Sequence, residues 1–249
     1  MLVIYDPVLE AYGGVKLHQY YAPQGWNDPV TLANQLVTDL NTQSHGKVSY
    51  QIVQTNTRDE WPIYNDGTRY DDASYIADYN VWDDHASTWG NYNAIITDND
   101  IVAKINNGEI DEVWMYGAPG FGWWEHTTAG NGAYSTNGGP VTGVNTRLFS
   151  IMGLNYERAV GQALESYGHG VEGVMRRMYG SWNPEVAPNY HPFNAFTALE
   201  AHPGSLIGCG NAHGHMNTPA TDPPSNTDWT DLNTVASTCD DWSNYPFLT

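Results

Sequence analysis

Residues 155–180, NYERAVGQALESYGHGVEGVMRRMYG, form the chain's longest helical pattern and carry its densest cluster of Glu and His. At 3.6 residues per turn, Val160, Leu164, Tyr167, Val171, Val174 and Met178 fall in one apolar stripe, the mark of a helix packed on a core. Roughly opposite lies a second stripe, Arg158, Gln162, Glu165, His169, Glu172 and Arg176, each side chain one turn from the next. One reading makes it a solvated face whose Glu165 to His169 and Glu172 to Arg176 pairs contribute about 0.2–0.5 kcal/mol each. The other makes it one wall of a site. Ala159, Ala163, Ser166, Gly170 and Gly173 leave the flanks without bulky cover, so other backbone can approach closely. Glycine inside a helix costs roughly 0.5–1 kcal/mol relative to alanine, and Gly168-His169-Gly170 marks the expected place for a break.

The rest of the chain alternates strand-like and helix-like stretches. Leu2 to Tyr5 reads as a first strand ending at Asp6-Pro7. Asp28 as N-cap and Pro29 as first helical residue open a helix with Leu32, Leu36 and Leu40 at helical spacing and Gly46 past its end. Val48 to Val53 reads as a second strand. Asp59 to Trp89 reads as a long polar, aromatic excursion over a surface, with Asn65-Asp66-Gly67 as a turn. Its Asp66, Asp71, Asp72, Asp83 and Asp84 suggest a calcium site, although their spacing does not match an EF-hand loop. Tyr92 to Asn107 reads as a helix stopped by Gly108, Glu112 to Tyr116 as a third strand, and Arg147 to Met152 as a fourth. Beyond residue 180 the chain reads as irregular, with a short helix expected over residues 193–201.

Strands separated by helices predict an α/β fold: one domain over residues 1–249, with a mostly parallel sheet flanked by helices in doubly wound, Rossmann-like layers, long irregular loops, and a loop-rich part from about residue 181. Ligands of such sheets bind beyond the carboxyl ends of the strands, which selects Asp6, Gln54 to Asn56, Gly117 to Glu125 and Gly153 to Glu157 as one rim.

Composition narrows the partners. A formal charge of -19, from 28 acidic and 9 basic residues, repels phosphate backbones and anionic membranes, so neither nucleic acid nor membrane is expected. Ten Trp and 17 Tyr, with abundant Gly, Asn and Asp, suit loops that present flat faces to sugars and a secreted, soluble life. A halophilic or acid-tolerant origin explains the scarcity of Lys equally well. The lack of a charged-then-apolar leader and of an apolar run near 20 residues suggests a mature or trimmed domain rather than a membrane protein, and a monomer is expected. Cys209 and Cys239 are bridged, closing a loop for about 3–4 kcal/mol, or are two buried thiols, or leave Cys209 reactive.

Glu125 is the first candidate for a catalytic carboxylate, because it follows a strand in a glycine-rich loop beside Phe121, Trp123 and Trp124, a sugar platform or a desolvating wall. The alternative is a rim carboxylate beside core aromatics. Glu165 and Glu172 are its candidate partners, and Asn155 joins the three aromatics as a candidate substrate contact. A carboxylate separation of about 5–5.5 Å would suit a retaining glycosidase and about 6.5–9.5 Å an inverting one. A second constellation is metallic: Glu165 and His169 with His213 or His215 make a Glu/His/His set suited to zinc or another divalent ion. An unbroken helix from Asn155 puts Glu165 about 15 Å along it, away from the rim, so a break or a folded-over C-terminal segment is needed to unite Glu125 with His169. No GxSxG, GxxxxGK or strand-following GxGxxG is present.

GEIDEVWMYGAPGFGWWE (residues 108–125), LNYERAVGQALESYGHGVEG (154–173), GCGNAHGHMN (208–217) and DDWSNYP (240–246) resemble a largely uncharacterised group of secreted bacterial proteins often attached to carbohydrate-binding modules. The resemblance covers most of the chain after about Tyr92 and implies extracellular work on polysaccharide, without an assigned reaction. Glu125, Glu165, His169, Glu172 and His213 match the polar positions of that group. His215 falls where it more often has an apolar residue or proline, which favours His213. The leading expectation is a secreted polysaccharide hydrolase using Glu125 and Glu165. The alternatives are a zinc-dependent peptidase or deacylase on Glu165, His169 and His213 with Glu172 or Glu125 as base, and a non-catalytic carbohydrate-binding protein.

Overall fold

In chain order the described elements are β1 (Leu2–Tyr5), the short hairpin β2 (Val8–Leu9) and β3 (Val15–Lys16), α1 (Leu17–Tyr20), α2 (Pro29–Gln43), β4 (Thr55–Arg58), α3 (Asp72–Val81), α4 (Tyr92–Asp98), α5 (Ile101–Asn106), β5 (Glu112–Gly117), β6 (His126–Ala129), β7 (Phe149–Asn155) and α6 (Val160–Tyr179). They come from a computed structural model that describes residues 1–81, 89–180 and Phe193. The chain divides into two units, Met1–Asn41 with Ser49–Gly170 and Thr42–Val48 with Val171–Thr249; the boundary falls inside α6. Among the described residues no helix is long and apolar enough to cross a membrane.

The fold is α/β: a mostly parallel five-stranded sheet, order β4-β1-β5-β7-β6, flanked by helices. Only β6 runs antiparallel, along β7 at one edge. β1 and β5 are apolar and buried almost throughout, as interior parallel strands are when both faces are covered. β4, TNTR, forms the opposite edge and alternates in exposure. Because the chain leaves β1 for β4 on one side and returns to β5 on the other, the topological switch lies between β1 and β5.

β1, β5 and α2 lie where local pattern puts them; β7 overlaps its expected span but begins at Phe149 and runs three residues further, to Asn155. Asp28 caps α2, its Oδ1 accepting from the Thr31 N–H at 2.7 Å. Other expectations are corrected. Val48 to Val53 is not a strand: Asn41, in the last turns of α2, bonds both the N–H and the carbonyl of Tyr50 (2.6 and 3.1 Å), and pairing with β1 begins only at Thr55. The excursion after Asp59 contains α3, where the Asp71 carboxylate accepts from the Ser74 N–H and Tyr75 and Ile76 are buried. Asp66 and Asp72 are likewise engaged, by Thr68 and by the Trp61 indole; Asp83 and Asp84 lie outside the described residues. The helix expected over 92–107 is two helices, parted where Asp100 adopts φ 52° and the buried Asn99 side chain bonds Ile95 and Asn56.

The largest correction concerns α6. It starts at Val160, not Asn155, and continues through Gly168 to Gly170 without a break. Val160, Leu164 and Tyr167 pack partly on the core, but Val174 and Met178 are 39% and 69% exposed. The buried positions are instead small or polar: Ala163, Ser166, His169, Gly170, Glu172 and Gly173. A Cβ on Gly170 would lie 2.5 Å from Cδ2 and Nε2 of His126, so the glycine is what lets the β6 imidazole approach the helix.

Candidate functional site

The carboxyl ends of β5 and β7 form the floor of a cavity of about 300 Å³ within the first unit. Tyr116 and Phe121 to Trp123 come from β5 and its following loop, Gly153 to Asn155 from β7, Asp78 and Tyr79 from α3, and Gln162 and Ser166 from α6. The loop after β5 is tightly packed, not open: Phe121 is fully buried, and Trp123 meets Tyr5 and Phe121 edge to face at 5.6 and 5.5 Å. Gly117 must be glycine, since a Cβ there would strike the rings of Trp123 and Phe121. Trp124 turns aside and stacks on Trp89 at 4.1 Å and 14°.

Antiparallel pairing of β6 with β7 sets His126 opposite Met152, and the Gly153 N–H donates to the Trp124 and Glu125 carbonyls (both 3.1 Å). Glu125 is thereby held at the carboxyl end of β7, where the chain turns back into α6. Since α6 begins at Val160, Glu165 lies only about 7–8 Å along it. Glu125, Glu165 and His169 therefore meet although the helix is unbroken; of the two routes expected to unite them, the break is absent and the folded-over C-terminal segment lies outside the described residues. One ligand atom of each lies within 4.8 Å of the other two, a group that could hold a metal ion. The buried His169 Nε2 is 3.3 Å from Glu125 Oε2, and Glu125 also accepts from the Asn137 side chain at 3.0 Å. Glu125, 35% exposed, is the member of this group that also lines the cavity.

Sequence reasoning overlooked His126. The Thr136 hydroxyl donates its one hydrogen to the His126 carbonyl at 2.8 Å and so must accept from His126 Nδ1–H at 3.0 Å, leaving Nε2 as a bare acceptor against Gly170. Burial, and then the neighbouring His169, lower its pKa from 6.5 to about 4. Its one sequence signal was adjacency to Glu125.

Of the remaining candidates, Trp123, Phe121 and Asn155 line the cavity; the Asn155 side chain also accepts from the Glu157 N–H at 2.9 Å. Glu172 is buried and belongs to the second unit. His213, His215, Cys209 and Cys239 lie outside the described residues. Asp6 and the segments after β5 and β7 do follow strand carboxyl ends, but Gln54 to Asn56 sits at the amino end of β4, whose own carboxyl end is Arg58. The chain matches no protein-family model, no curated protein and no solved structure.

Proposed function

We propose that the chain is a hydrolase of extracellular polysaccharide in which Glu125, Glu165 and His169 hold a divalent cation beside a sugar-accepting cavity. The observation that carries this reading is that Glu125 belongs both to the three-ligand group and to the cavity wall. A cation held there would polarise a bond or lower the pKa of a bound water. Two carboxylates and one imidazole suit zinc or manganese, and nothing in the ligand set selects between them. Aromatic side chains with a few polar groups, here Asp78, Asn155 and Gln162, are what a glycan site needs.

A second, metal-free reading draws on the same distance: oxygens of Glu125 and Glu165 within 4.8 Å lie nearer the spacing of about 5–5.5 Å for a retaining carboxylate pair than the 6.5–9.5 Å of an inverting one. A zinc-dependent peptidase or deacylase would use the same centre on a different bond.

Elemental analysis of protein purified without added metal, together with reducing-end release from a polysaccharide panel, tests the proposal. The expected result is near one divalent ion per chain, release that a chelator stops, and loss of both in Glu165→Gln. Release with no metal leaves the carboxylate pair. Bound metal with peptide or acyl-ester cleavage and no reducing ends overturns the polysaccharide assignment.

A further inference from the structure

Residues 136–138, in the connection between β6 and β7, face residues 124–126 one to one. The Thr136 hydroxyl donates to the His126 carbonyl at 2.8 Å and takes the His126 Nδ1–H at 3.0 Å, while the Gly138 N–H donates to that same carbonyl at 2.8 Å. Gly138 is buried against Trp124, where a Cβ would fall 2.3 Å from the indole Cγ, so only glycine lets this stretch lie so close. The Thr136 N–H donates to the Gly138 carbonyl at 3.0 Å, which brackets Asn137 from both sides. Asn137 is itself exposed, so its aim comes from these two neighbours and not from burial. Its side-chain N–H donates to Glu125 Oε2 at 3.0 Å.

That oxygen is the one nearest the imidazole: Glu125 Oε2 lies 3.3 Å from His169 Nε2. Ligand atoms about 2.0–2.2 Å from a zinc ion at tetrahedral angles lie about 3.3–3.6 Å apart, so these two atoms already stand at the spacing of neighbours on a single ion. A carboxylate oxygen has two lone pairs, and Oε2 can keep Asn137 on one while the other meets the cation. From the cation-holding part of the proposed function alone, and independently of hydrolysis, we infer that Asn137 is the positioning residue of the cation site, holding Glu125 Oε2 at ligand spacing from His169 Nε2 so that the ion meets a preset pair. Hydrogen bonds to a ligating carboxylate fix its orientation, and deleting one costs about 10–100-fold in metal affinity.

Calorimetric titration of the full, chelator-stripped chain with Zn²⁺ and Mn²⁺ tests this beside two variants. Asn137→Leu keeps the size of the side chain and deletes its donor; Asn131→Leu is the control, since the Asn131 amide in the same connection bonds Asn145 and not Glu125. Asn137→Leu should bind the ions about tenfold more weakly with ion-free Tm unchanged, and Asn131→Leu should match the wild type. At saturation with Co²⁺ the visible bands of Asn137→Leu should differ from those of the wild type, which a loop that only stiffened the fold would not cause. Unchanged affinity and bands overturn the inference, as does an affinity loss matched by a fall in Tm or shared by Asn131→Leu. If the wild type binds no ion, the cation reading falls, and crystal structures of the ion-free wild type and Asn137→Leu decide the rest. Oε2 leaving its place beside His169 only in the variant keeps Asn137 as the residue that positions a metal-free carboxylate; Oε2 unmoved removes it.

Discussion

Among the described residues the first unit contains two pairs in which a buried histidine meets a carboxylate, and they are built to opposite ends. In the loop after β1, Asp6 is 1% exposed and fully engaged by the chain: His18 Nδ1 lies 2.6 Å from Oδ2, the His18 N–H donates to Oδ1 at 3.1 Å, and Lys16 Nζ is 3.7 Å away. The other ring nitrogen of His18 is 3.7 Å from Asp28, the residue that caps α2. This pair ties β1, the β2–β3 hairpin, α1 and α2 together. At the end of β7 the His169 to Glu125 contact is longer, 3.3 Å, the carboxylate is a third exposed, and Glu165 joins it. The residue types are alike; the number of internal partners and the access to an open volume decide which pair is a fastening and which can meet a ligand.

The largest expected effect tests that contrast directly. Asp6→Ala should destabilise the chain by about 3–5 kcal/mol in urea denaturation, because it strands a buried partner, whereas Glu125→Gln should cost less than about 1 kcal/mol and remove metal binding and turnover. Equal losses of stability would erase the distinction. Next comes the pH dependence of the metal-free chain. His126 has a folded pKa near 4, below its ordinary 6.5, so the unfolded chain binds the extra proton first. Stability should therefore be intact above about pH 6.5 and fall as pH drops toward 4, by up to about 3 kcal/mol; His126→Gln should flatten that stretch of the curve. A curve of the same slope in the variant would assign the loss to other groups.

Two glycines of α6 give the smaller effects. Gly170→Ala should cost about 1–3 kcal/mol through the collision with His126 and should lower metal affinity. Gly161→Ala, with nothing within 4 Å of its added Cβ, should raise stability by about 0.5–1 kcal/mol. Denaturant midpoints of the two variants moving the same way would show that α6 does not approach β6 as described.

Much of the architecture was legible because it rests on short-range rules. The apolar run of β1, the Asp28-Pro29 cap, β5 and β7 all follow from periodicity and capping. β4 was misplaced by a few residues because the Asn41 side chain, nine residues back in α2, takes the Tyr50 backbone groups, a tie that strand propensity does not register. α3 was missed because its aromatic, acidic sequence shows no clean stripe, and of its described side chains only Tyr75 and Ile76 are buried. For the site, helical spacing named Glu165 and His169 and loop context named Glu125, but His126 had no periodic signal at all.

The sequence by itself determined that strands and helices alternate, that the sheet is mostly parallel, and that Glu165 and His169 share one face of a helix. Those are consequences of backbone geometry over a few residues. Only the tertiary structure decided which face of α6 turns inward. An apolar stripe predicts Val174 and Met178 inside, yet both are exposed, whereas His169 is buried and Gly170 admits the His126 ring against the helix. Only the antiparallel return of β6 brought Glu125 to the end of β7, across a separation that no helical period spans.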